Sequence, residues 1–124
     1  MKIRILFVIL IVLVTSACKK EAGPGGKNTI KGIVYFMNGV SGTQDVVKDA
    51  QVSIAYGTDQ ATLEFNKTIL TNSDGSYSFE GLRKGNYYLS ATYTDSHGFV
   101  YKTNGATVTL NHRKKQATAE LILL

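Results

Sequence analysis

Sulfur chemistry is almost closed to this chain. Its only cysteine, Cys18, has no partner, so no internal disulfide can staple the fold. Proline is as scarce: Pro24 stands alone in the run K-K-E-A-G-P-G-G-K-N, Lys19 to Asn28. That polar, glycine-rich composition cannot bury enough apolar surface to offset its ordering entropy, and it reads as a flexible tether. The two histidines, His97 and His112, lie in turn-like sequence with no cysteine or carboxylate at ligand spacing. Zinc needs three or four ligands, so no metal site is expected. Neither a G-x-S-x-G elbow nor a glycine-rich strand-to-helix phosphate loop occurs, and without a catalytic constellation or a cofactor site no enzyme activity is expected. Asn72-Ser73-Asp74-Gly75 opens like a calcium loop, but the twelfth position, where a bidentate glutamate belongs, is Arg83.

What is present begins with a leader. Lys2 and Arg4 precede the unbroken apolar run Ile5–Val14, and the small residues Thr15-Ser16-Ala17 precede Cys18. This order is that of a secretory signal, and its apolar core is shorter than the roughly 18 residues a membrane-spanning helix requires. Val14-Thr15-Ser16-Ala17-Cys18 resembles a bacterial lipobox, with Thr15 where that pattern prefers leucine. The resemblance implies cleavage before Cys18 and a diacylglyceryl thioether on its sulfur. Acyl chains contribute about 0.8 kcal/mol per buried CH₂, so two or more hold a protein stably on a membrane. The expected address is the cell envelope, lipid-anchored to a bacterial membrane, the outer one, with its facing left open. The residues after Cys18 are two lysines rather than an acidic run.

Loss of Lys2 and Arg4 with the leader leaves twelve basic against nine acidic residues, a net charge of +3. The one basic cluster, Arg113-Lys114-Lys115, reads as a solvated loop and is too small for nucleic acid.

From Thr29 onward no helical periodicity appears. Period-2 alternation predicts strands at Thr29–Met37, Ala50–Tyr56, Asn66–Thr71, Ser76–Glu80, Tyr87–Asp95, Phe99–Thr103 continued by Ala106–Leu110, and Gln116–Leu123. Gln60–Phe65 fits a strand, an edge extension or a loop. Seven β-rich runs separated by Gly, Asn, Asp and Ser clusters argue for an all-β antiparallel sandwich. Asp74-Gly75 marks a hairpin, and Gly85 closes the turn Leu82-Arg83-Lys84-Gly85; both glycines are expected at φ > 0. The expected core is Ile30, Val34, Val52, Ile54, Leu70, Tyr77, Phe79, Leu82, Tyr87, Leu89, Val108, Leu110, Leu121 and Leu123.

Thr71 to Leu89 reads T-x-x-D-G-x-Y-x-F-x-x-L-x-x-G-x-Y-x-L, Ile30–Val34 reads I-x-G-x-V, and Ala50–Ile54 reads A-x-V-x-I. Together, over roughly Asn28 to Leu124, they resemble the carboxypeptidase regulatory-like domain, a seven-stranded prealbumin-like or immunoglobulin-like sandwich. That resemblance implies an accessory module without chemistry of its own. The chain thus divides into a leader, 1–17, a lipidated N-terminus and tether, 18–28, and a sandwich, 29–124. Related sandwiches of the Cna B type carry an internal isopeptide bond from a first-strand lysine. Lys31 holds that position, but the region of the assisting carboxylate is Leu89-Ser90-Ala91, so Lys31 is expected in water with no such bond.

The function expected is a non-catalytic envelope lipoprotein whose sandwich is a structural or protein-interaction module. The alternative is a carbohydrate-binding module of a polysaccharide-uptake system. For a glycan ligand, Tyr88, Phe99 and Tyr101 are the candidate aromatic platform, on neighbouring strands about 5 Å apart. A membrane through the lipid anchor, and an envelope protein or a glycan, are the expected partners.

Overall fold

The computed structural model describes residues 22–37, 42–111 and 115–124. The leader, Cys18, His112 and Arg113-Lys114 lie outside the described residues. Among the described residues ten strands follow in order: β1 (Pro24–Met37), β2 (Gln44–Val46), β3 (Gln51–Tyr56), β4 (Lys67–Leu70), β5 (Ser76–Leu82), β6 (Gly85–Thr94), β7 (Val100–Lys102), β8 (Ala106–Leu110), β9 (Gln116–Thr118) and β10 (Leu121–Leu123). They form two sheets, each arranged on one long strand. In the first, β1 carries β5 and then β2 antiparallel along one flank, and β9 and then β10 parallel along the other. In the second, β6 has β3 and then β4 on one side, with β8 beside its first half and β7 beside its second, all antiparallel. The all-β sandwich expected from alternation is the fold found, and its sheets are mostly antiparallel as expected, but β9 and β10 run parallel to β1. The count rises from seven to ten because two expected runs break, into β7 and β8 and into β9 and β10, and because the three-residue β2 is too short to show a period.

The core lies between the sheets. Ile30, Val34, Tyr77, Phe79, Leu82, Leu121 and Leu123 from the first sheet meet Val52, Ile54, Tyr87, Leu89, Ala91 and Leu110 from the second, all buried. Each of the valine, leucine, isoleucine and phenylalanine side chains among them stabilises the fold by roughly 1.5–3 kcal/mol. Leu70 departs from expectation and is 57% exposed. The register explains it: Ile69 sits opposite Val52 and so shares its inward face, which turns Leu70 outward beside Gln51. Val108 faces inward opposite Tyr87 but is only half-buried, because β8 is an edge strand. Gln60–Phe65 is loop, not strand.

A second difference concerns the tether. β1 begins at Pro24, inside the stretch expected to be flexible, and Asn28 is buried. The Asn28 amide donates from Nδ2 to the Leu82 carbonyl (3.2 Å) and accepts the Lys115 N–H at Oδ1 (2.8 Å). Just ahead of the strand, the Gly23 N–H donates to the Tyr87 hydroxyl (2.9 Å), that hydroxyl donates to the Arg83 carbonyl (2.7 Å), and the Arg83 N–H returns to the Gly23 carbonyl (2.8 Å). The docking is thus made by backbone groups, the Asn28 amide and the Tyr87 hydroxyl, polar partners that leave no apolar pattern in the sequence.

β9 and β10 are separated by a kink at Ala119. Its N–H donates to the Lys31 carbonyl (2.8 Å), and its carbonyl accepts the buried Tyr77 hydroxyl while lying where a Cβ on Gly32 would stand. Burial, reinforced by the Glu120 carboxylate, pushes the Tyr77 phenol well above the usual tyrosine value. The folded state therefore holds this proton more tightly than the unfolded chain. The corresponding stability is complete below about pH 10, the unfolded tyrosine pKa, and is lost as the pH climbs above it. Urea midpoints measured from pH 8 to 11.5 should fall more steeply above pH 10 for the wild type than for Tyr77→Phe. Parallel curves would mean that Tyr77 ionisation plays no part.

Candidate interaction surface

On β1 the inward set Ile30, Gly32, Val34 leaves Lys31, Ile33, Tyr35 and Met37 on the outer face of the first sheet. Register places Tyr35 directly between Val46 of β2 and Ile122 of β10. Cross-strand partners share a face, so Val46, Tyr35 and Ile122 form a continuous apolar row across three strands. Val46 is 48% and Ile122 37% exposed. Ile33 and Met37 extend the row along β1, and the exposed Leu124 follows Ile122. Next to this row lies a groove of about 360 Å³, lined among others by Lys31, Ser76, Ser78, Thr118 and Glu120. A cation and a carboxylate thus flank the apolar row.

The candidate residues from the sequence fall elsewhere. Asp74 is a turn anchor: its Oδ1 accepts the Ser76 hydroxyl (2.6 Å) and the Ser76 N–H (3.0 Å), and these bonds, the hydroxyl's first, lower its carboxyl pKa. Gly75 adopts φ 77° with Val46 Cβ and the Val34 carbonyl pressed against it, and Gly85 adopts φ 146° against Ala22. The aromatic platform does not form. Tyr88 faces outward on β6 but is 8% exposed, covered by Phe65, whose ring stacks on it at 6.2 Å. Tyr101 pairs with the inward Tyr93 and so turns into the sandwich, edge-on to Phe36 at 4.9 Å. Phe99 alone is open, 65% exposed in a turn whose Asp95 Oδ1 accepts the N–H groups of His97 and Phe99. Lys31 is exposed. Among the described residues no three His, Cys, Asp or Glu side chains converge as metal ligands.

A second concavity, about 440 Å³, lies under the loop 57–66, where Tyr56 and Phe65 stand with Thr58, Thr62, Glu64 and Asn66. Much of its polar lining is already engaged. Asn66 Oδ1 accepts the Tyr56 N–H (2.8 Å), and the Thr58 and Thr62 hydroxyls bond within the loop.

Residues 37–122 match the SpaA prealbumin-like fold domain, and the chain belongs to this family. No curated protein matches the chain. Among solved structures it is similar to PA1324 of Pseudomonas aeruginosa, a candidate carbohydrate-binding protein, with 16% identity, a TM-score of 0.57, and coverage of 86% of this chain and 93% of that one. It is also similar to GBS52, the minor pilin of Streptococcus agalactiae, with 17% identity and a TM-score of 0.51. That match covers 84% of this chain and 45% of the pilin. At these identities the likeness is one of fold.

Proposed function

We propose that this chain is a lipid-anchored, non-catalytic module of the bacterial envelope, a carboxypeptidase regulatory-like variant of the prealbumin-like sandwich, that binds a protein partner through the outer face of its first sheet. The observation that carries this reading is the row Val46, Tyr35, Ile122. Three strands meet in register to leave apolar side chains in water, and contiguous apolar surface of this kind marks interaction sites on soluble domains. Lys31 and Glu120 beside it offer a partner one charge of each sign, which fixes orientation more than it adds affinity.

Two measurements test the reading. Detergent phase partitioning and intact mass of the full-length chain, compared with Cys18→Ala, should show acyl mass and detergent partitioning for the wild type only. Equal aqueous partitioning would remove the anchor. A photo-crosslinking amino acid placed at Tyr35 or Ile122 in the producing cell should give one discrete protein adduct, and the same group at Thr107 on the second sheet should give none. Adducts at Thr107 alone would remove the surface.

Glycan binding is the second reading, favoured by the two rings and the exposed Glu64 in the loop concavity. There a glycan array should lose its signal with Phe65→Ala and keep it with Tyr35→Asp.

A further inference from the structure

We infer that the end of the sandwich nearest Cys18 is a basic surface that rests on anionic phospholipid headgroups. This depends on the lipid anchor proposed above. Four exposed cations gather where β1 begins: Lys27, Arg83, Lys84 and Lys115. They are held together by the bonds that dock the strand's start. Lys27 adjoins Asn28, whose amide grips Leu82 and the Lys115 N–H, and the Arg83 N–H is bonded to Gly23. The Arg83 guanidinium lies against Gly25, where a Cβ would come within 2.9 Å of Nη2. Glu80 on β5 and the loop acids Asp59 and Glu64 lie toward this end, with Lys67 opposite Ile54 adding a further cation.

The other end is charged oppositely. β2 and the turns there carry Asp45, Asp49, Asp74 and Asp95, against Lys48 and, on β7, Lys102 opposite Thr92. The eight Lys and Arg of the described residues are matched by eight Asp and Glu. Among the described residues the asymmetry is therefore a dipole along the sandwich.

Geometry presents the positive pole to the membrane. Only four residues, Lys19 to Ala22, separate Cys18 from the bonded Gly23, and two of them are lysines. Five Cα steps span at most about 18 Å, so a lipidated Cys18 holds this end within reach of the headgroups. A basic side chain near an anionic leaflet adds attraction that falls off within a Debye length.

The test uses the lipidated protein in nanodiscs of phosphatidylcholine with or without phosphatidylglycerol, carrying gadolinium-chelated headgroups. Amide signals of Lys27, Lys84 and Lys115 should broaden in anionic discs, and those of Asp49, Asp74 and Asp95 should not. The contrast should vanish in molar salt, where the Debye length is about 3 Å. Replacing both Arg83 and Lys84 with glutamine should lower the docked-to-free ratio about tenfold or more, with the melting temperature unchanged. Broadening that ignores phosphatidylglycerol and salt, or that favours the acidic end, would overturn the inference while leaving the anchor intact. Failure to enter the discs, with no acyl mass, would overturn the anchor and the inference together.

Discussion

Gly32→Ala should lower the melting temperature by more than about 10 °C, although the change adds one methyl group in mid-strand. An ideal Cβ on Gly32 would lie 1.7 Å from the Ala119 carbonyl oxygen and 2.7 Å from its carbon. That carbonyl cannot retreat cheaply, since the Tyr77 hydroxyl holds it and the Ala119 N–H is bonded to Lys31. Overpacking in a core costs about 1–3 kcal/mol, and a clash with pinned backbone belongs at the top of that range. For a domain of this size each kcal/mol moves the midpoint by roughly 4–8 °C. Ser78→Ala, on the exposed face of β5, is the control and should move it little. If calorimetry finds Gly32→Ala within two or so degrees of wild type, on the scale of ordinary surface changes, the kink at Ala119 is misplaced.

Tyr87→Phe should destabilise by about 2–3 kcal/mol while removing a single oxygen atom. The ring is fully buried, so packing is unchanged, but the hydroxyl is shared by the Gly23 N–H and the Arg83 carbonyl. Both lose a partner, and a polar group left unpaired in the interior costs its full desolvation. The effect should also be local. Hydrogen exchange at the Arg83 amide should accelerate before that of Val52 or Leu89, because Arg83 donates to Gly23 in the same clamp. Tyr93→Phe should leave both stability and exchange near wild type. A uniform rise in exchange across both sheets would show that Tyr87 supports the whole core and not the docked segment.

The strands could be read wherever the two faces of a sheet differ in polarity. Tyr87, Leu89 and Ala91 against Ser90 and Thr92 is such a case, and so is Tyr77 and Phe79 between serines. The turn at Asp74-Gly75 was legible because its chemistry is local. Tyr88 was not, since its burial depends on a loop some twenty residues earlier folding across the outer face, and alternation records direction but not cover. Tyr101 failed for a related reason, since only pairing with Tyr93 decides which side of β7 is inside. The interaction surface is hidden in the same way. Tyr35, Val46 and Ile122 are each ordinary strand residues, and they become a row only when β2 and β10 settle in register on either side of β1.

The arrangement of the first sheet also orders the events of folding. β3 pairs with β4 as a hairpin, and such neighbours in sequence meet within microseconds. β1 cannot finish that way, because its parallel flank comes from β9 and β10, and the bond between Asn28 and Lys115 joins residues 87 positions apart. Closures of that length dominate the barrier in β-rich domains and set folding in milliseconds to seconds. Until then Ile30 and Val34 lie along a strand with one bare edge, the state in which such a chain pairs most readily with a stranger.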